Sequence, residues 1–327
     1  MMTDYIAFPK LGWELQVSDT LAEFSLFGLD FSIKWYMVLI VLGFLLAFIY
    51  AYARIKNFEL DPDRMFDVVF ASTIIGLIGA RLFYVLFAPA EIRELYFSDP
   101  VQILLVWDGN FSLFGGLLFA FLGGILVCRW RKVDTWRMFD LTAISLLIGQ
   151  AVVCFGDFFH QNAFGTNTDL PWGMTGSEII SGTIGGYDAT QPVHPVFLYE
   201  CLWCILGAVL LHIVSKKWYK NKGQLFSLYL IWYGVGSFLF EGLRVSGLYL
   251  GTMQASRLFA VLMVIAGVVV FFARRAKLQT TEKELFDDEP SVYSYLLDDE
   301  DIPQTAEEVE EDVNEDVDEA LVVGEEE

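Results

Sequence analysis

The sequence predicts an all-α membrane protein: a seven-transmembrane-helix bundle with an outward-facing loop and arm region and a disordered, acidic C-terminal tail. Three observations carry this reading. First, 55% of the 327 residues are hydrophobic and the mean hydropathy is +0.48, which lies outside the range of ordinary soluble domains. Second, the apolar residues fall into seven runs, each close to the ~20 residues that a helix needs to cross the hydrocarbon of a bilayer. Third, the net charge of −21 belongs to one end of the chain. Of the 42 acidic residues, 21 lie in 278–327 beside a single Lys, which leaves 21 acidic and 20 basic residues in 1–277.

Taken in order, residues 1–34 mix polar and aromatic side chains and form an outer arm, either a short surface helix or a segment lying on the membrane. Residues 35–277 form the seven-helix membrane domain, with apolar runs at about 35–52, 66–87, 111–128, 139–155, 196–214, 225–243 and 258–273. These runs must be helical, because an isolated strand leaves its backbone groups unpaired in lipid. Glycines recur inside them, at Gly76 and Gly79, Gly115 and Gly116, Gly123 and Gly124, and Gly234 and Gly236. Small residues let helices approach closely, so these are expected packing sites. Residues 278–327 are too acidic and too poor in aromatic residues to fold, and form a cytoplasmic tail. The four cysteines, Cys128, Cys154, Cys201 and Cys204, lie in or beside apolar runs and read as small packing residues.

Orientation follows from the basic residues. Arg54, Lys56 and Arg64 follow the first run, and Arg129, Arg131, Lys132 and Arg137 the third. Lys216, Lys217, Lys220 and Lys222 follow the fifth, and Arg274, Arg275, Lys277 and Lys283 the seventh. The alternate connections carry far fewer. The excess of Lys and Arg on the cytoplasmic side puts the N-terminus outside and the C-terminus in the cytoplasm.

By this topology four polar clusters share the outer end. They are Arg81 late in the second run, Asp157 with His160 after the fourth, His194 to Glu200 opening the fifth, and Glu241 with Arg244 closing the sixth. Pro195 marks the first turn of the fifth helix and leaves His194 in the loop. Each cluster also has a plain structural reading. Glu241 and Arg244 are three apart and can pair on one helix face, Arg81 can snorkel to the headgroups, and the polar groups after the fourth run can be the wet end of a helix. Their shared depth points instead to one site, where Arg offers a planar fork to a lipid phosphate. A transporter is the weakest reading, because its ionisable groups would stand at mid-membrane depth.

The residues also resemble a known family. Ser32-Ile-Lys-Trp-Tyr36, Gly79-Ala-Arg-Leu-Phe-Tyr84, Val106-Trp-Asp-Gly109 leading to Gly115-Gly116, Gly149-Gln-Ala151, Gln161-Asn-Ala-Phe-Gly165, His194-Pro-Val-Phe-Leu-Tyr-Glu200, Gly223-Gln-Leu-Phe226 and Glu241-Gly-Leu-Arg244 stand in this order over about 30–277. The set is similar to the phosphatidylglycerol–prolipoprotein diacylglyceryl transferases of bacteria. Several positions depart from the family's pattern. Phe114 stands where the family has His or Tyr, Cys154 and Ser237 where it has Arg, Asp157 and His160 where it has Asn, and Asn162 where it has Glu.

The resemblance implies transfer of the diacylglyceryl group of phosphatidylglycerol to the lipobox cysteine of prolipoprotein signal peptides, within the membrane. It implies catalytic positions at Tyr199, Glu200 and Glu241, and substrate-binding positions at Arg81, Asp157, Gln161, His194 and Arg244. His160 is specific to this sequence, either a base for the incoming thiol or a solvated loop residue. A catalytically silent paralogue that still binds phospholipid or signal segments is the alternative. No metal, cofactor or nucleic-acid partner is expected.

Overall fold

A computed structural model describes residues 4–26, 29–87, 96, 98, 103, 112–161, 163–181, 186–245, 249–250 and 253–288. The chain divides into two units, 1–275 and 276–327. The long helices of the first unit are α1 (Trp35–Arg54), α2 (Pro62–Phe87), α3 (Leu113–Trp130) and α4 (Thr135–Cys154). The five-residue α5 (Gly156–His160) and α6 (Ser177–Ser181) follow, and then α7 (Val196–Lys217) and α8 (Gln224–Glu241). A last helix, α9 (Ala255–Asp288), begins in the first unit and supplies the described part of the second.

Five described helical segments are long and apolar enough to cross a membrane: 35–58, 62–87, 135–160, 196–217 and 256–277. A sixth, at 115–130, is apolar but shorter. Val41, Ile49, Phe70, Leu126, Leu202 and Val269 are each more than half exposed. Apolar side chains so uncovered on long helices have lipid as their natural surroundings. Residues 278–288, grouped with the acidic tail on composition, continue the last helix; the expected disorder beyond Asp288 lies outside the described residues.

The N-terminal arm is built of strands, not of a helix. β1 (Asp4–Phe8) pairs antiparallel with β2 (Trp13–Val17), and β3 (Thr20–Leu26) with β4 (Leu29–Lys34). Trp13-Glu-Leu-Gln-Val17 alternates apolar and polar residues, the period of a strand with one covered face. β1 also pairs with β5 (Thr175–Gly176) of the long loop. Arm and loop together bury Ile6, Val17, Ala163, Phe164, Met174, Ile179, Val193 and Phe197. This second small core sits at the end of the bundle where α4 stops and α7 begins.

Glycine packing holds the helices together. At Gly79 of α2 a Cβ would stand 2.2 Å from Phe119 of α3, and at Gly115 of α3 one would stand 2.2 Å from Phe83 of α2. Between α7 and α8, Trp203 and Trp232 stack with ring centroids 4.2 Å apart. Each indole N–H donates to the other residue's backbone carbonyl, at 3.0 Å in both directions. Gly236 and Gly207 give these two indoles room, since a Cβ at either would stand 2.3 Å from the facing Nε1.

The opposite end of α8 is capped from another helix. Gly223 precedes α8 with φ of 88°, a left-handed conformation suited to glycine, and has no side chain to cap with. Asp140 of α4, fully buried, supplies the missing acceptor. It accepts from the N–H of Gly223 at 2.6 Å, the N–H of Phe226 at 2.9 Å and the Tyr219 hydroxyl at 2.9 Å. The carboxylate thus satisfies backbone donors that a helix start leaves open.

Asp140→Ala strands these donors and is expected to lower stability by about 3 kcal/mol, within the range for buried groups left unpaired. Asp140→Asn keeps one acceptor oxygen and loses less. Thermal unfolding in detergent measures both, and equal losses would show that hydrogen-bond acceptance is not what Asp140 provides.

Candidate active site

The loop after α5 is laced between α7 and α8 by its backbone. Gly165 N–H donates to the His194 carbonyl at 2.9 Å, and His194 N–H returns a bond to the Thr166 carbonyl at 3.0 Å. On its other side Thr166 N–H donates to the Leu243 carbonyl at 2.9 Å, and Gly165 forms an antiparallel bridge with Arg244. A Cβ at Gly165 would lie 2.8 Å from the Leu243 oxygen, so only glycine permits the approach. Ala163 accepts from the N–H of Phe197 at 3.1 Å. Three of the polar clusters read from the sequence are therefore brought together by main chain. Pro195 caps α7, which begins at Val196 and leaves His194 in the loop, as its position before the proline predicts.

Arg244 stands at the centre of a carboxylate cluster. Its Nη2 donates to Glu200 Oε1 at 2.9 Å, and its Nη1 lies 3.8 Å from Glu241 Oε2. Asp157 is close enough for its charge to act on both Arg244 and Glu200. Burial alone would pull the Arg244 pKa down, but Glu200, Glu241 and Asp157 outweigh it and hold the guanidinium above its ordinary value. Its Nε is buried and has no hydrogen-bond partner among the described residues. The side chains of Arg244 and Glu200 remain 25% and 23% exposed, so a ligand can reach them.

Cys154, at the end of α4, borders this cluster. The Cys154 thiol points at Glu200 Oε2 from 3.9 Å. Ser237 stands on α8, four residues before Glu241. Three carboxyl groups thus share one guanidinium.

The other face of α7's first turn carries a neutral chain of hydrogen bonds. The Tyr199 hydroxyl accepts from the Trp172 indole at 2.8 Å and bonds His194 Nδ1 at 3.1 Å. Burial lowers the His194 pKa from its ordinary value, which favours the uncharged ring. Trp172 is not among the residues singled out from the sequence. Its signal is a lone indole in a Gly- and Thr-rich loop.

The remaining candidates lie elsewhere. His160 stacks on Tyr36 with ring centroids 5.9 Å apart, and its Nδ1 lies 3.6 Å from Asp19 Oδ1 of the arm. Asp157 is its charged neighbour across α5. Gln161 is buried, and its side-chain oxygen accepts from the Glu178 N–H at 3.2 Å, which fixes the start of α6. Arg81 is buried on α2, where its Nε donates to the Ile103 carbonyl at 3.1 Å and its guanidinium lies 5.3 Å from the Tyr96 ring centroid. Asn162, the side chain of Phe114 and the segment 106–109 lie outside the described residues.

Comparison with known proteins agrees with this arrangement of segments. The family model for prolipoprotein diacylglyceryl transferase matches residues 24–273. A phosphatidylglycerol–prolipoprotein diacylglyceryl transferase of Staphylococcus haemolyticus is 34% identical over 257 residues, which cover 76% of this chain and 86% of the relative. One of Clostridium novyi is 33% identical over 266 residues, 80% of this chain and 98% of the relative. One of Thermotoga maritima is 33% identical over 248 residues, 75% of this chain and 82% of the relative. Together with the apolar helices, these matches establish that this multi-pass membrane chain belongs to the prolipoprotein diacylglyceryl transferase family.

Proposed function

We propose that the protein transfers the diacylglyceryl group of phosphatidylglycerol to the lipobox cysteine of prolipoproteins. The thiol sulfur attacks the glycerol carbon that carries the phosphoester, a carbon–sulfur bond forms, the carbon–oxygen bond breaks, and glycerol phosphate leaves. The thiol proton passes to a base. The observation that carries the reading is Arg244, a guanidinium held in place by Glu200 and Glu241 with its Nε–H unspent. That fork suits the phosphate on which negative charge grows as the bond breaks.

Within this reading Glu200 and Glu241 hold Arg244 with Asp157 beside them, Gln161 acts by fixing the start of α6, and Arg81 on α2 is a further cation for the lipid. Tyr199, oriented by Trp172 and His194, offers a hydroxyl to the headgroup. His160 takes the thiol proton. Its Nδ1 edge faces Asp19, which turns the Nε2 edge the other way, and its side chain is 42% exposed. A carboxylate facing one ring nitrogen fixes which edge a histidine presents. The seven-span topology, with the N-terminus outside and the acidic tail inside, belongs to the same proposal. It places lipid headgroup and signal segment at the outer surface.

The cations missing at Cys154 and Ser237 favour a second reading, in which the protein binds the lipid and turns over slowly or not at all. Complementation in cells depleted of their own transferase separates the two.

Four outcomes are expected. Arg244→Ala lowers incorporation of labelled diacylglyceryl into a lipobox peptide by about 10²–10³, the effect of losing one donor to a developing anion. His160→Ala lowers it by a comparable factor, and an unchanged rate removes His160 from the mechanism.

Cys154→Arg with Ser237→Arg, accompanied by Asp157→Asn, raises the rate by about tenfold or more, because two cations join a cluster that now holds one. A lower rate in a stably folded triple variant would show that the carboxylate excess is required.

With the native cysteines replaced, a cysteine at Ile180 reacts with an impermeant maleimide on intact cells, and one at Glu300 reacts only after lysis. The reverse pattern sinks the proposed orientation.

A further inference from the structure

A cavity of about 530 Å³ lies between α1, α4 and α7, lined by Ile148, Val152, Ile205 and Val209. It contains one polar pair, Tyr50 and His212, whose hydroxyl and Nδ1 are 2.7 Å apart. His212 lies 12 residues beyond Glu200 on the same helix, so the pair is about 18 Å along the helix from the candidate active site. Arg54 follows Tyr50 by four residues and Lys216 follows His212 by four. Residues at that spacing share a helix face, so both cations stand one turn beyond the polar pair.

Arg54 and Lys216 each lie close enough to act on His212, and Arg54 also reaches the Tyr50 hydroxyl and Ser215 Oγ. Among the described residues neither cation has a carboxylate within ion-pair distance. The Nε of Arg54 is buried without a hydrogen-bond partner among them. Every other feature of the groove is apolar. Unpaired positive charge above an apolar slot matches the two halves of a phospholipid.

We propose that this groove binds an anionic phospholipid from the leaflet opposite the candidate active site, with its phosphate on Arg54 and Lys216 and an acyl chain against Ile148, Val152, Ile205 and Val209. Tyr50 and His212, bonded to each other, line the groove one turn before the cations. The site is separate from the transfer chemistry and does not depend on it. A bound lipid there fills the cleft between α1 and α7, both of which pack on α4, and braces the pair of helices from which Glu200 projects.

The test places a photo-cross-linking phenylalanine analogue at Val209 of the full-length protein, in vesicles of equal phosphatidylglycerol and phosphatidylcholine, with the adducts identified by mass spectrometry. Phosphatidylglycerol adducts are expected to exceed phosphatidylcholine adducts, with the excess falling about fivefold for each cation removed. Lys216→Gln lies at an exposed position and is expected to give the single-cation loss in a folded protein. Arg54→Gln with Lys216→Gln removes the excess, while Arg54→Lys keeps most of it. Equal adducts of the two lipids, an excess unaffected by the double substitution, or preferential cross-linking of an added lipobox peptide would each overturn the proposal.

Discussion

Lipid offers no hydrogen bonds, and that absence shapes the whole molecule. Every backbone group and charge within the bundle has to be answered by protein. Asp140 shows the consequence at one end, where a carboxylate from α4 caps the start of α8. The Trp203–Trp232 pair shows it mid-bundle, where each indole finds the other's carbonyl. The loop from Ala163 to Thr166 shows it at the far end, where backbone bonds tie α7 to the chain beyond α8.

The candidate active site is a by-product of that last arrangement. Arg244 follows the end of α8, in a segment that would fray if it were unsupported. Backbone bonding to Gly165 and Thr166 fixes it, and Glu200 and Glu241 then orient its side chain. A guanidinium so placed loses little freedom on meeting an anion, which is why preorganised charge is effective in catalysis. Around it, three carboxyl groups act on the one guanidinium. Cys154 approaches Glu200 directly. A change of charge beside Glu200 acts strongly on the site, because Coulomb interactions within a shared, partly buried pocket are weakly screened.

The two ends of α7 carry different electrostatics. At its start, Glu200 meets an arginine and other acids; at its end, His212 meets Arg54 and Lys216, with no carboxylate beside these cations among the described residues. An anion-seeking surface at the second end fits the basic residues that cluster after the odd-numbered apolar runs. Charge bias and lipid recognition are thus two readings of the same side chains.

Composition and run length alone determined that this chain is a helical membrane protein, because the need to satisfy backbone in hydrocarbon leaves few options. The order of HPxxLYE and EGLR also singled out Glu200, Glu241 and Arg244, and Pro195 alone put His194 outside the helix. Only the tertiary structure decided what these residues meet. That Gln161 pins a short helix, that His160 faces Asp19 of the arm, and that Asp140 caps a helix 83 residues away are long-range pairings with no local signal. The arm's strands escaped notice for a related reason. Their pairing with each other and with Thr175 and Gly176 depends on contacts that side-chain alternation over five residues only hints at. Sequence fixes which groups must be buried or paired; which partner each one finds is a property of the folded chain, because it depends on where distant segments arrive.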